Sequence, residues 1–143
     1  MHEVAKSQWV RAYDAIVMSP MLIRMAKRYK MRGLDRAFMV HAQYATMGYN
    51  TYNAIVNLGK PVEPYAGVPL GMSTVYESTE RQVAGSQVLR LVDIFGYGPM
   101  CLYIAAKQKM RPIDRGFLIY TGISTIILNW LNYRANKTVN GKA

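Results

Sequence analysis

The feature that most limits what this chain can fold into is an internal repeat. Displacing the sequence against itself by 79 positions sets Lys30-Met31-Arg32-Gly33-Leu34-Asp35-Arg36-Ala37-Phe38 over Lys109-Met110-Arg111-Pro112-Ile113-Asp114-Arg115-Gly116-Phe117, with six of nine residues identical. Without a gap, the same displacement superposes Arg11 on Arg90, Asp14 on Asp93, and Pro20-Met21 on Pro99-Met100. It also lays Thr46, Asn50, Asn53 and Asn57 over Thr125, Asn129, Asn132 and Asn136. Chance could produce one such match, not this ordered series, so the chain is a tandem duplication over about residues 10–57 and 89–136.

A chain of 143 residues has room for one compact body, not for two independent cores and a long linker. The two copies are therefore expected to pack on each other. Residues 58–72 hold three prolines and three glycines, too many for a regular helix. They divide a first unit, residues 1–57, from a second, residues 73–143. From Ser73 the run Ser-Thr-Val-Tyr-Glu reads as a helix start, continued by Val83, Val88, Leu91, Val92 and Phe95 toward Gly96.

Each unit reads as a helix ending near Ser19-Pro20 or Gly98-Pro99, a short second helix, a basic connector, and a long helix entered through Gly33 or Pro112. Proline in a first helical turn loses no intrahelical hydrogen bond, so these prolines mark starts or kinks. Asp35 and Asp114 fall about three residues into the last helix, where a carboxylate faces the positive end of the helix dipole. The expected fold is all-α: a helical bundle built from the duplicated helix, proline break, helix, basic turn and long helix, in solution or associated with a membrane.

Charge is concentrated in the connectors. Residues 24–36 carry six Lys or Arg against one Asp, and residues 107–115 carry four against one, together eight of the ten net positive charges. Equivalent connectors in a duplicated fold are expected on one side of the molecule. There Lys27, Arg28, Lys30, Arg32, Arg36, Lys107, Lys109, Arg111 and Arg115 would meet anionic lipid or nucleic-acid phosphate. Long stretches without charge lie between, residues 37–59 and 116–133, and a shorter one at 94–106. Residues 116–133 are the expected membrane contact, with Trp130 and Tyr133 near the end suited to an interface.

The spacings 4, 3 and 4 place Thr46, Asn50, Asn53 and Asn57 on one helix face, and likewise Thr125, Asn129, Asn132 and Asn136. Asparagines in an apolar helix are costly unless bonded, so this stripe is expected to pair helices, with Asp14 and Asp93 as natural partners. Catalysis is not expected. The histidines, His2 and His41, have no counterparts in the second unit, and the single cysteine, Cys101, has no second thiol within the chain. Glycine-rich phosphate loops and nucleophile-elbow patterns are absent from the sequence. No cofactor is expected, and the start of the chain lacks the apolar stretch of a signal peptide.

The second unit resembles a loose group of small helical proteins encoded by tailed phages and large DNA viruses. The residues that carry the resemblance are Leu91 and Asp93, Gly98-Pro99, the basic turn from Lys107 to Arg115, and Thr125, Asn129 and Asn132-Tyr133. The first unit keeps this plan but has Ser19 where the second has Gly98 and Ala54 where it has Tyr133. The resemblance implies a viral source and a hydrophobic protein, and brings no activity with it. The leading expectation is a non-enzymatic structural protein of a virus particle, a minor capsid or internal-membrane component contacting other virion proteins or its own copies. The alternatives are a small holin-like or transporter-like protein of the host membrane, and a soluble basic nucleic-acid-binding or scaffolding bundle.

Overall fold

The computed structural model describes residues 8–58, 63–64, 74–75 and 87–140. Four helices dominate: α1 over residues 8–28, α2 over residues 33–56, α3 at Gln87–Lys107 and α4 at Pro112–Asn140. A two-residue antiparallel ladder, β1 at Glu63–Pro64 and β2 at Thr74–Val75, lies between the halves. The helix expected to begin at Ser73 is thus not formed at Thr74 and Val75, which are extended. Both are β-branched, and such side chains suit strand better than helix.

The prolines do not end their helices. In α1 a π-helical turn at Asp14–Met18 leads directly into Ser19–Arg28, and in α3 the turn at Asp93–Tyr97 leads directly into Gly98–Lys107. Proline cannot donate the backbone hydrogen bond that the regular ladder requires. One wider turn just before it carries the helix past this defect. In each copy the turn closes on the carbonyl of its own aspartate, through the N–H of Ser19 onto Asp14 and of Gly98 onto Asp93. A third π-turn, Phe38–Ala42 in α2, has no counterpart in α4.

Each unit is an antiparallel hairpin tied at its open end by the same bond. Gln8 Nε2 donates to the Ala54 carbonyl at 3.0 Å, and Gln87 Nε2 donates to the Tyr133 carbonyl at 3.2 Å. Because the acceptor is backbone, the exchange of Tyr133 for Ala54 leaves this tie intact. The connectors differ more. Lys30 takes a left-handed conformation (φ 48°) and Gly33 follows at φ 55°, whereas Gln108 is extended and Pro112 opens α4.

The hairpins meet about a pseudo-two-fold axis parallel to their length. Arg28 Nη1 donates to Asp114 Oδ2 at 2.9 Å, joined there by the Tyr29 hydroxyl. In the mirror contact Gln108 Nε2 donates to Asp35 Oδ2 at 2.6 Å, and Lys107 Nζ lies 3.3 Å from the same oxygen. Residues 28, 29 and 35 correspond to 107, 108 and 114 under the repeat, so each copy gives the other what it receives, as an isologous interface must. Both connectors therefore lie at one end of the bundle. Met18 and Tyr97, equivalent positions, touch each other on the axis, with the Tyr97 hydroxyl 3.9 Å from the Met18 sulfur.

The apolar core occupies the connector half. Leu22, Met25, Ala26 and Met39 of the first hairpin are buried together with their counterparts Cys101, Ile104, Ala105 and Leu118 of the second. Spacings of three and four residues put these side chains on one helix face, and their burial against the opposite hairpin drives the pairing.

Candidate functional site

Away from the connectors the apolar core gives way to a cavity of about 830 Å³ between the two hairpins. Its walls carry Asp14, Thr46 and Asn50 from the first copy and Asp93, Thr125 and Asn129 from the second. The polar stripes of both units thus meet across one space together with both aspartates. Asn132 also reaches this wall, while Asn53 in α2 and Asn57 just past its end are buried elsewhere; the side chain of Asn136 lies outside the described residues.

Each stripe bonds along its own helix. Thr46 Oγ1 donates to the Ala42 carbonyl, and the amides of Asn50, Asn53 and Asn57 donate to the carbonyls of Thr46, Tyr49 and Asn53, all at 2.9 Å. Asn129 repeats the bond to Thr125 at 2.9 Å. Back-bonding to the carbonyl four residues earlier satisfies half of each amide without a second helix. Asn50, Asn53, Asn57 and Asn132 have further polar or electrostatic partners. The stripe therefore lets helices bury asparagine at modest cost.

The floor of the cavity is built on the axis. Tyr97 donates from its hydroxyl to Gln43 Oε1 at 2.6 Å and stacks edge-on against Phe38, ring centres 5.0 Å apart. Asp14 and Asp93 line the same cavity as Tyr97, one from each copy. Thr121 also borders the cavity and is 98% buried, and its hydroxyl has no hydrogen-bond partner. Beneath the floor, the core and the two reciprocal clamps seal the connector end.

Two residues that the sequence analysis aligned but gave no role are the largest fully buried side chains, Arg11 and Arg90. Each lies one turn before its aspartate, and Arg90 borders the cavity. A buried guanidinium must be paired, and both have partners within the protein. The repeat of Arg and Asp three residues apart, in both copies, was the available signal that these positions matter.

At the connector end Lys27, Lys30, Arg32, Arg36, Lys109, Arg111 and Arg115 are exposed. Arg28 and Lys107, which sequence grouped with them, are exposed in part but are committed to the clamps. Asp35 and Asp114 do sit in a first helical turn, yet their burial comes from the opposite connector rather than from their own helix end. The Tyr29 hydroxyl and the Arg28 guanidinium hold the Asp114 carboxyl below its ordinary range.

Compared with family models, with curated proteins and with solved structures, the chain matches none. Its function must be read from its own residues. No group of three or more His, Cys, Asp or Glu side chains that could hold a metal converges among the described residues.

The outer surface differs from the interior in an unusual sense. Over residues 8–23, 37–58, 87–106 and 116–133 the formally charged side chains are Arg11, Asp14, Arg90 and Asp93 alone. All four turn inward, buried or lining the cavity. The outside of the same belt exposes Ile16, Ile55, Phe95, Ile123 and Ile127, with Ile16 and Phe95 each 74% exposed. Among the described residues one helix, α3, is long and apolar enough to cross a membrane, and a third of its most apolar window is buried. Residues 116–133 lie in α4, where Asn129 and Asn132 dilute the apolar run. Sequence reading singled out residues 116–133 and gave α3 only the shorter uncharged stretch 94–106; Arg90 and Asp93, which precede that stretch, are turned inward.

Proposed function

We propose that this chain is a non-enzymatic membrane protein whose two hairpins stand side by side in a bilayer around a polar, solute-holding cavity. The observation that carries this reading is the inverted distribution of polarity: charge and amide inside, a charge-free apolar belt outside. In water such a belt is a liability, whereas in lipid it is the required surface, and ionisable groups inside a membrane bundle face its interior and serve its function. At 1.5 Å per residue α3 spans about 31 Å, close to the thickness of a hydrocarbon core. The connectors, with their exposed lysines and arginines, then share one headgroup layer, on the cytoplasmic side by the positive-inside rule. The floor and the clamps then lie between the cavity and the cytoplasm.

Alkaline carbonate extraction of the expressed full chain tests this. Retention in the membrane pellet is expected; release into the supernatant overturns the reading.

A second reading has its own support in the exposed basic end. A structural component of a virus particle, in its membrane or on the inner capsid surface, would use that end to meet genome or anionic lipid and the belt to meet lipid or neighbouring copies. The resemblance to phage and large-virus proteins favours such a setting. Finding the chain at many copies in purified particles supports it, and its absence from them contradicts it. The soluble nucleic-acid-binding bundle is least favoured, because it leaves the apolar belt in water.

A further inference from the structure

The connector end carries charge that the fold does not use. In residues 24–36 and 107–115 the only acids are Asp35 and Asp114, and both are buried in the clamps, answered by Lys107 and Arg28. The remaining cations of these two segments are exposed. They form a single surface, because the connectors interlock: the Arg111 backbone N–H donates to the Tyr29 hydroxyl at 3.1 Å, and Gln108 reaches Asp35. Three cations match across the repeat, Lys30 with Lys109, Arg32 with Arg111 and Arg36 with Arg115. In each copy the two arginines bracket the first turn of the long helix, whose backbone bonds run from Arg36 to Arg32 at 3.4 Å and from Arg115 to Arg111 at 3.0 Å. Between them in sequence stands an exposed aliphatic side chain, again at equivalent positions: Leu34 is 70% and Ile113 76% exposed.

We propose that this end is a binding surface for anionic phospholipid, with headgroup phosphates on the paired arginines and with Leu34 and Ile113 entering the acyl-chain boundary. A guanidinium takes a phosphate through two parallel hydrogen bonds, and clustered basic residues at a membrane face attract anionic headgroups. The aliphatic pair decides between lipid and nucleic acid. A polynucleotide offers phosphate to the arginines but leaves Leu34 and Ile113 in water, whereas a lipid surface takes up both. Base stacking finds no platform here: Tyr29 is the one aromatic residue of the two segments, and its hydroxyl is held in the Asp114 clamp. Helical side chains lean toward the N-terminus, so Arg36 and Arg115, one turn in, extend toward the connectors while their apolar stems lie at the depth of the aliphatic pair. The inference rests on the membrane reading for the layer in which the connectors lie, and deepens it by naming the lipid class.

The full chain, purified in an uncharged detergent, is titrated with phosphatidylglycerol or with phosphatidylcholine of the same acyl chains, and binding is read from the thermal midpoint of its helical circular dichroism. Phosphatidylglycerol should raise the midpoint saturably, and phosphatidylcholine should leave it near the lipid-free value. Arg32→Gln with Arg36→Gln, and separately Arg111→Gln with Arg115→Gln, should raise the phosphatidylglycerol fraction needed for half the effect by about tenfold or more, at roughly fivefold per cation. Leu34→Ser with Ile113→Ser should weaken the response by about fivefold. All of these side chains are exposed, and the two Gln pairs are independent, so loss of fold in one leaves the other to decide. Equal responses to the two lipids, or an unchanged response in the Gln pairs or in the Ser pair, overturns the proposal; if a short DNA duplex binds in that last case, the end is a nucleic-acid surface. A chain that resists carbonate extraction but responds equally to both lipids loses this proposal and keeps the membrane reading. A chain that carbonate releases, yet prefers phosphatidylglycerol, keeps the lipid surface as a peripheral one and loses the membrane reading.

Discussion

The second hairpin is closed tightly on glycine, and the first is held apart by side chains. Where α3 crosses α4, a Cβ on Gly98 would come within 2.9 Å of the Gly122 carbonyl and 2.4 Å of Ile126, and a Cβ on Gly122 within 2.9 Å of the Gly98 carbonyl. Only glycine permits such an approach of two helices. The equivalent positions in the first hairpin are Ser19 and Gln43, both fully buried. Gln43 extends across the axis to the Tyr97 hydroxyl, and its segment holds the π-turn that α4 lacks. The copies have thus kept their ends, the glutamine ties and the aspartate clamps, and diverged at mid-height. There the second copy supplies a rigid wall, and the first supplies the side chain that shapes the cavity floor.

The largest effect is expected at the glycine crossing. Gly122→Val should destabilise the protein by about 3 kcal/mol, because neither backbone can move without opening the hairpin. Ser19→Ala at the first crossing should change stability by less than about 1 kcal/mol, since the buried hydroxyl it removes has no partner. Denaturation in detergent, followed by helical circular dichroism, compares the two. Similar losses would erase the distinction between the hairpins.

The clamps come next. Asp114 accepts from a phenol and a guanidinium, Asp35 from an amide and a more distant ammonium. Asp114→Asn should therefore cost about 2 kcal/mol at neutral pH, and Asp35→Asn less. The folded-state pKa of Asp114 lies below its unfolded value of about 4. Its stabilisation is consequently complete above that pH and lost as pH falls through the folded value. A stability profile from pH 6 to pH 2 should flatten at its acid end in Asp114→Asn; a profile superimposable in shape on wild type would remove the asymmetry between the clamps.

The smallest effects lie in the first connector. Lys30 holds a left-handed conformation that glycine adopts without strain, so Lys30→Gly should stabilise by up to about 1 kcal/mol. Gly33→Ala should cost about 1 kcal/mol from strain alone, since its Cβ would meet nothing within 4 Å. Substitution at Gly116 of the second unit carries no such strain, and a loss there equal to that at Gly33 would contradict the difference in connector geometry.

The duplication was fully legible in sequence because identities such as Asp35 with Asp114 and Asn50 with Asn129 survive a single displacement without gaps. From it followed an all-helical fold of two like units with their basic connectors on one side. The clamps were hidden, because Tyr29 and Gln108 differ chemically while doing the same work for opposite aspartates. The cavity was legible only as two separate stripes: periodicity places Asn50 and Asn129 each on a face, and only the pseudo-two-fold axis brings those faces together. Proline misled the segmentation, since a π-turn can absorb its missing hydrogen bond without stopping the helix. Thr74 and Val75 misled it too, where a strand-forming pair sat inside a run that otherwise resembled a helix start.

The most direct test of the central claim, an apolar belt in lipid around an inward-facing polar interior, is labelling of single cysteines by a membrane-impermeant thiol reagent in intact vesicles. With Cys101→Ala as background, Ile16→Cys and Ile127→Cys report the belt, and Lys30→Cys and Lys109→Cys report the two connectors. The belt positions should label only after detergent dissolves the bilayer, and the two connector positions should always label from the same side. Ready labelling of Ile16→Cys and Ile127→Cys in intact vesicles, or connectors that label from opposite sides, would contradict it.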